Sequence, residues 1–349
     1  MTQRTPQIPP TIESLPEGIV RPLWSIMIPT YNCFGYVEET LKSVLSQDLG
    51  KEIMQIQIVD DCSTDGDVEG LVNKIGQGRV EFNKQCVNQG SLRNFETCIN
   101  HARGHYIHIL HGDDRVEPGF YKEISDLFAL HPEAGAAFTN FIFIDYKSQK
   151  VDLINRPLLS KPGIISDFLS LIGKRQELQP PAMVVKRKVY EELGSFYAVH
   201  FGEDWEMWAR IASKFQVAYS PNYLAAYRLG HGTGISHNYF LTGQNIPDIK
   251  KVINIIQTYL PEEKRARYKR FASAYYATYC VRTANSLLSV NKNAALIQTK
   301  GAWKMSKDLE TSFWALRFYM MYILGYKKFI KKMQSIKKGL PKSFSKDKY

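Results

Sequence analysis

The 349-residue chain is poor in several features that would otherwise narrow its function quickly. Its five cysteines, Cys33, Cys62, Cys86, Cys98 and Cys280, are odd in number and none stands in a C-x-x-C pair. That pattern excludes a disulfide framework and reads as reduced thiols of a cytosolic protein. No apolar run approaches the roughly 20 residues that a spanning helix needs; even Phe313 to Tyr326 is interrupted by Arg317. The N-terminus, M-T-Q-R-T-P-Q-I-P-P, lacks an apolar h-region, which argues against secretion. No lysine-bearing G-x-x-x-x-G-K loop is present, so a bound phosphate would have to be met by a metal or an arginine. Spare positive charge is also missing from most of the chain. Of the net +11, Lys327 to Tyr349 contributes nine lysines against one aspartate, leaving only about +3 for the rest. A nucleic-acid-binding surface spread over the main body is therefore not suggested.

What is present is a run of strand, loop and helix signals. The length suggests one main domain of about 200 to 250 residues with an appendage. Residues 1 to 23, with five prolines and little periodicity, read as a flexible leader. W-S-I-M-I-P from Trp24 reads as a strand, Thr30 to Asn32 as its loop, and Val37, Leu41, Val44 and Leu45 as one face of a helix. I-M-Q-I-Q-I-V-D-D, Ile53 to Asp61, is a second strand ending in two carboxylates, and Arg79 to Phe82 a third, followed by a helix whose first turn holds Arg93. Such units build parallel sheets. Gly135 to Asp145 and Ala182 to Val185 are further strands, and Lys147 to Gln179 reads as a mobile flap with short helices. From about Phe240 the pattern is helical.

The stretch Y-I-H-I-L-H-G-D-D-R-V-E-P, Tyr106 to Pro118, organises the rest. Its apolar start is a buried strand turning at Gly112, and Tyr121, Ile124, Leu127 and Phe128 mark the helix behind it. Asp113 and Asp114 thus stand at the carboxyl end of a strand, the edge where open α/β sheets bind ligands. An acidic pair there suits a hard cation held together with substrate phosphates. A solvated turn capping the next helix is the competing reading. Farther on, F-G-E-D-W-E-M-W puts Glu203 and Asp204 at a helix start, where the dipole alone would favour one of them. His231 and His237 lie in a glycine-rich loop and carry little weight by themselves.

Taken in order, these pieces resemble the inverting family 2 glycosyltransferases, enzymes of the GT-A fold that use nucleotide-diphosphate sugars. The resemblance covers residues 24 to 237 and rests on P-T-Y-N at Pro29 to Asn32, V-D-D-C-S-T-D-G at Val59 to Gly66, N-Q-G-S-L-R-N at Asn88 to Asn94, H-G-D-D at His111 to Asp114, and G-E-D-W at Gly202 to Trp205. It implies a mixed, mainly parallel sheet flanked by helices, with a helical extension over 238 to 349. Pro29, Thr30, Tyr31, Asp60, Asp61, Arg93 and Asp113 would contact the nucleotide sugar. Asp114, Asp113 and the late His231 would hold Mn²⁺ or Mg²⁺. Asp204, with Glu203 as its close competitor, would be the catalytic base. One departure is His111, where many members have an aspartate, so metal binding must lean on Asp113 and Asp114.

The implied reaction takes a sugar, with UDP-hexoses as first expectation and thymidine-diphosphate rhamnose behind them, to a hydroxyl of a glycan or lipid-linked acceptor in cell-surface polysaccharide or cell-wall synthesis. Rival chemistries fit less well. V-D-D-C-S-T misses the D-x-D-x-T spacing of an aspartyl phosphatase, and a glycoside hydrolase would use two carboxylates without nucleotide or cation. A non-catalytic nucleotide-sugar binder docking to membrane or partner remains the alternative of a different class. At the C-terminal end, Trp314, Phe318, Met321 and Tyr322 can share a helical face directly before the lysines, as in a helix lying at the cytoplasmic surface of an anionic membrane.

Overall fold

The structure, a computed structural model, describes residues 3–153, 155–229 and 235–325. Strand and helix alternate from the start: β1 (Trp24–Thr30), α1 (Phe34–Leu45), β2 (Met54–Asp60), α2 (Val68–Gly76), β3 (Glu81–Lys84), α3 (Ser91–His101) and β4 (Tyr106–Ile109). There follow β5 (Arg115–Val116), α4 (Phe120–Leu130), β6 (Ala136–Ile144), β7 (Gly163–Ile164), α5 (Phe168–Ile172), β8 (Met183–Lys186), α6 (Arg187–Leu193), α7 (Glu203–Ala212) and β9 (Val217–Arg228). Then come α8 (Ile235–Thr242), α9 (Asn245–Tyr259), α10 (Glu262–Leu287), α11 (Lys292–Met305) and α12 (Leu309–Leu324).

The strands form one sheet in the order β3-β2-β1-β4-β8-β6-β9-β5, with β7 alongside β9. β1 to β4 run parallel, whereas β8 is antiparallel to both β4 and β6. All residues of β1 and β2 are buried, as expected of strands covered by helices on both faces. That cover is supplied by the apolar sides of helices such as α1, through Val37, Leu41 and Val44, and α3, through Leu92, Phe95, Cys98 and Ile99. The register sets Thr30 beside Asp60, so the loops after β1 and β2 open at the same edge.

The opposite edge is closed by a polar plug. Ser25 Oγ donates to Gln55 Oε1 (2.6 Å) and accepts from the backbone N–H groups of Arg103 and Gly104. Gly104 allows this close approach, because a Cβ there would lie 2.4 Å from the Trp24 carbonyl carbon and 2.5 Å from the Ser25 nitrogen.

Three features differ from the sequence expectation. Described residues 3–23 hold no helix or strand but are not loose: Ile12 is buried, and the carbonyls of Pro6, Pro10 and Glu13 accept from Ala198 N, Ser195 N and Arg187 Nη2. Prolines suppress periodicity without preventing packing. β9 is a twelve-residue strand with no clear signal in the sequence, because Ser220, Pro221 and Asn222 break its alternation. Finally, Phe318 and Met321 of the grouped face of α12 are buried, so that face packs inward. Residues 326–349, with the lysine cluster, lie outside the described residues.

Gly104→Ala is expected to lower stability by about 1–3 kcal/mol, the usual cost of forcing atoms into a packed site, with a lower midpoint in urea unfolding. A midpoint equal to that of the parent would contradict the close-approach account.

Candidate active site

The first wall of the site is made by the loops after β1 and β2, which are stitched together. Asp60 accepts hydrogen bonds from Thr30 Oγ1 (2.8 Å), Ser63 Oγ (2.5 Å) and Ser63 N (2.9 Å). Asn32 adopts the left-handed conformation (φ 48°), which asparagine tolerates, and its Oδ1 accepts from Thr64 N at 2.9 Å. Asp61 holds the next loop: its carboxylate accepts from Asn88 Nδ2 (2.8 Å), Gln89 N (2.7 Å) and Gly90 N (2.8 Å). Tyr31 stands half exposed at the rim.

The second wall is the turn after β4. Gly112 passes so close to β1 that a Cβ would lie 2.6 Å from Thr30 Cγ2. Asp114 is buried; its Oδ1 accepts from Arg228 N (2.8 Å), while Oδ2 is buried with no hydrogen-bond partner among the described residues. Burial, then the neighbouring Asp113 charge, pushes the Asp114 carboxyl well above the usual range. Such an orphaned oxygen is costly unless a proton or cation matches it. His111, Asp113 and Asp114 each offer a ligand atom, all within 4.8 Å of one another. Burial holds the His111 ring below its ordinary pKa, hence neutral, and it stacks on Phe95 at 5.2 Å. An imidazole and two carboxylates fit a divalent cation such as Mn²⁺ or Mg²⁺.

Arg228, at the end of β9, locks this turn. Nε donates to the Asp113 carbonyl (2.7 Å), Nη1 to the Asp145 carbonyl (2.8 Å) and Nη2 to Glu39 (2.7 Å), with the guanidinium over the Tyr36 ring at 4.5 Å.

The third wall is the start of α7. Glu203 and Asp204 share a cleft lined also by Phe95, Ile109, His111, Pro180, Phe196 and Trp208. Burial raises both carboxyls, and Asp204 adds to the rise at Glu203. Asp204 reaches about 6, restrained by donors from Trp205 N (2.7 Å) and from Gln176 Nε2. Gln176 is itself set by Tyr276 of α10, whose hydroxyl accepts from Gln176 N at 3.2 Å. Burial, followed by the charges of Asp114, Asp204 and Asp113, pushes the Tyr227 phenol upward.

Residues 25–194 match the family described as Glycosyl transferase family 2. The chain carries a glycosyltransferase family 2 domain. The uncharacterised Mycobacterium tuberculosis protein MT1568 is 27% identical over 245 residues, covering 67% of this chain and 75% of that one. Staphylococcus aureus TarS, a poly(ribitol-phosphate) beta-N-acetylglucosaminyltransferase, is 29% identical over 111 residues, covering 31% of this chain and 19% of that one. The structure of its 1–349 portion with UDP-GlcNAc superposes with a TM-score of 0.58 at 14% identity, covering 86% of this chain and 80% of that one. The Pyrobaculum calidifontis mannosyltransferase PcManGT, in complex with GDP-Man and Mn²⁺, gives 0.54 at 16% identity, covering 92% and 91%. These likenesses establish a GT-A fold of sheet and flanking helices with a helical C-terminal region.

The structure gathers His111, Asp113 and Asp114 in one cluster within the matched residues, and lines one cleft with His111 and with Glu203 and Asp204, which lie just beyond them. Thr30, Asp60 and Asp61 lie along the adjoining loops. Arg93 is turned to Gln3 O (2.9 Å) and Glu96 (2.5 Å). His231 lies outside the described residues. Sequence reasoning missed four contributors: His111 as a potential ligand, Arg228, Tyr227 and Gln176. The first was legible in its strand-end position, but nothing in the sequence signals that Gln176 reaches Asp204.

Gln176 stabilises the ionised form of Asp204, so its loss raises that carboxyl. In Gln176→Leu the Asp204 titration, followed by carboxyl ¹³C NMR, is expected to move upward from about 6 by about one pH unit, the worth of one hydrogen bond to a charge. An unmoved titration would refute the contact.

Proposed function

We propose that this family 2 enzyme is a metal-dependent, inverting glycosyltransferase that moves a sugar from a nucleotide diphosphate to a hydroxyl of a glycan or lipid-linked acceptor, in cell-wall or surface-polysaccharide synthesis on the cytoplasmic side. The observation that supports this reading is that His111 belongs both to the cluster it forms with Asp113 and Asp114, whose ligand atoms lie within 4.8 Å of one another, and to the cleft lined by Glu203 and Asp204. The two functions needed at the reacting carbon, leaving-group stabilisation and proton removal, would be served by these two groups.

Asp204 is the base. Its carboxyl, raised to about 6, is ionised near neutral pH yet basic enough to take a hydroxyl proton as the bond forms. Glu203, also raised by burial and by the Asp204 charge, is its close competitor. As the acceptor oxygen attacks the sugar C1 from the face opposite the diphosphate, its proton passes to Asp204. The C1–O bond to the diphosphate breaks, its electron pair leaves with the nucleotide, and configuration inverts. His111, Asp113 and Asp114 would hold Mn²⁺ or Mg²⁺, which supplies Lewis-acid neutralisation of the departing diphosphate. Asp60 offers its remaining lone-pair capacity to the ring N–H of a uracil, and Asp61 keeps the 88–90 loop in place behind it. A UDP-sugar is the donor this favours. The TarS complex with UDP-GlcNAc and the PcManGT complex with GDP-Man and Mn²⁺ support a nucleotide-sugar donor without choosing the sugar.

Nucleotide release from a panel of sugar donors tests the proposal against a non-catalytic binder, which would release none. Release is expected to stop with a chelator and return with Mn²⁺. Asp114→Ala should weaken donor binding as well as turnover, whereas Asp204→Asn should keep donor binding and lose about 10²- to 10⁴-fold in kcat. If Glu203→Gln gives that pattern and Asp204→Asn stays active, the base is Glu203; full turnover in the chelator would remove the metal from the mechanism.

A further inference from the structure

We propose that the solvent-facing stripe of α12 is a docking face for an anionic lipid bilayer. It is a different face from the one the sequence grouping selected. Leu309, Phe313, Leu316, Met320 and Ile323 are 92%, 62%, 61%, 40% and 77% exposed. Their spacing of four, three, four and three residues puts them on one side of the helix. The opposite side is already committed: Thr311, Ala315, Phe318 and Met321 are buried, and α12 contacts α10 and α11. A surface helix with one face packed should carry polar residues on the other. Here the charged side chains of α12 are only Glu310, paired with Arg282 at 3.0 Å, and Arg317, drawn over the Trp314 ring at 5.0 Å. A continuous apolar stripe of this kind marks a protein or membrane contact.

The surrounding charge selects between the two. Before the helix, Lys300, Lys304 and Lys307 are exposed, with Trp303 42% exposed among them. After Gly325 the sequence carries nine lysines and one aspartate to its end. A second copy of the chain would cover the stripe only by bringing two lysine-rich ends together. An anionic surface satisfies both the apolar side chains and the lysines. Among the described residues no helix is long and apolar enough to cross a membrane, so α12 would lie in the headgroup region. This docking goes beyond the transfer reaction and does not depend on it.

The test uses the full chain and sedimentation with vesicles of phosphatidylcholine alone or mixed with phosphatidylglycerol. The parent is expected to pellet with the mixed vesicles at low salt and to remain in solution with phosphatidylcholine alone. Leu316→Asp/Ile323→Asp alters exposed positions only and is expected to reduce the bound fraction at least about tenfold while nucleotide release in solution is unchanged. A chain ending at Gly325 should bind about tenfold more weakly and with a shallower salt dependence, since Lys300, Lys304 and Lys307 remain. Equal pelleting of parent and double variant, or no pelleting of the parent, would overturn the proposal. So would a concentration-dependent dimer by light scattering that the double variant abolishes without any vesicle binding, which would reassign the stripe to a second copy.

Discussion

A carboxylate held in the interior with one oxygen matched and the other not is the constraint on which the catalytic half depends. Asp114 receives the Arg228 N–H on Oδ1, while Oδ2 is buried without a donor among the described residues. Holding such a group requires a rigid frame, because a mobile turn would swing the carboxylate to water. The frame is visible on every side. Gly112 presses against β1, Thr40 Oγ1 donates to the carbonyls of Gly112 and Asp114, and the Arg228 guanidinium spans Asp113, Asp145 and Glu39. A buried arginine satisfied by carbonyls and one carboxylate costs less than an unpaired one, and it fixes geometry through its planar fork.

The same logic extends to the proposed base. Asp204 is not an isolated helix-start residue. Gln176 ties it to the segment between β7 and β8, and Tyr276 ties that segment to α10, with the Trp205 and Tyr276 rings 4.7 Å apart. On the other side, the Asp248 charge of α9 contributes to the raised carboxyl of Glu203. The helical extension therefore belongs to the electrostatic setting of the site as well as to the exterior of the domain.

Much of this was legible in the sequence where local chemistry dictates structure. Strands covered on both faces announce themselves as apolar runs, so β1, β2 and β4 and the polar loops at their ends could be read directly. The order of Thr30, Asp60, Asp114 and Asp204 along the chain was enough to suggest the reaction. What stayed hidden depends on contacts between distant residues. β9 was obscured by Ser220, Pro221 and Asn222, and with it went the role of Arg228, whose partners lie 80 to 189 residues away. The leader looked loose because prolines carry no periodicity, although its carbonyls serve as acceptors for the domain. On α12 helical spacing gave two apolar faces, and only packing shows which one is inward.

In the proposed mechanism His111, Asp113 and Asp114 share one cation with a nucleotide diphosphate, beside the cleft that Asp204 lines. A crystal structure grown with Mn²⁺ and UDP, with diffraction recorded at the manganese absorption edge, tests it most directly. The expected result is one anomalous peak at coordination distance from Asp114 Oδ2 and from a diphosphate oxygen, with the Asp204 carboxylate facing the vacant sugar position. A nucleotide bound with no manganese at this cluster, or manganese coordinated elsewhere in the cleft, would contradict it.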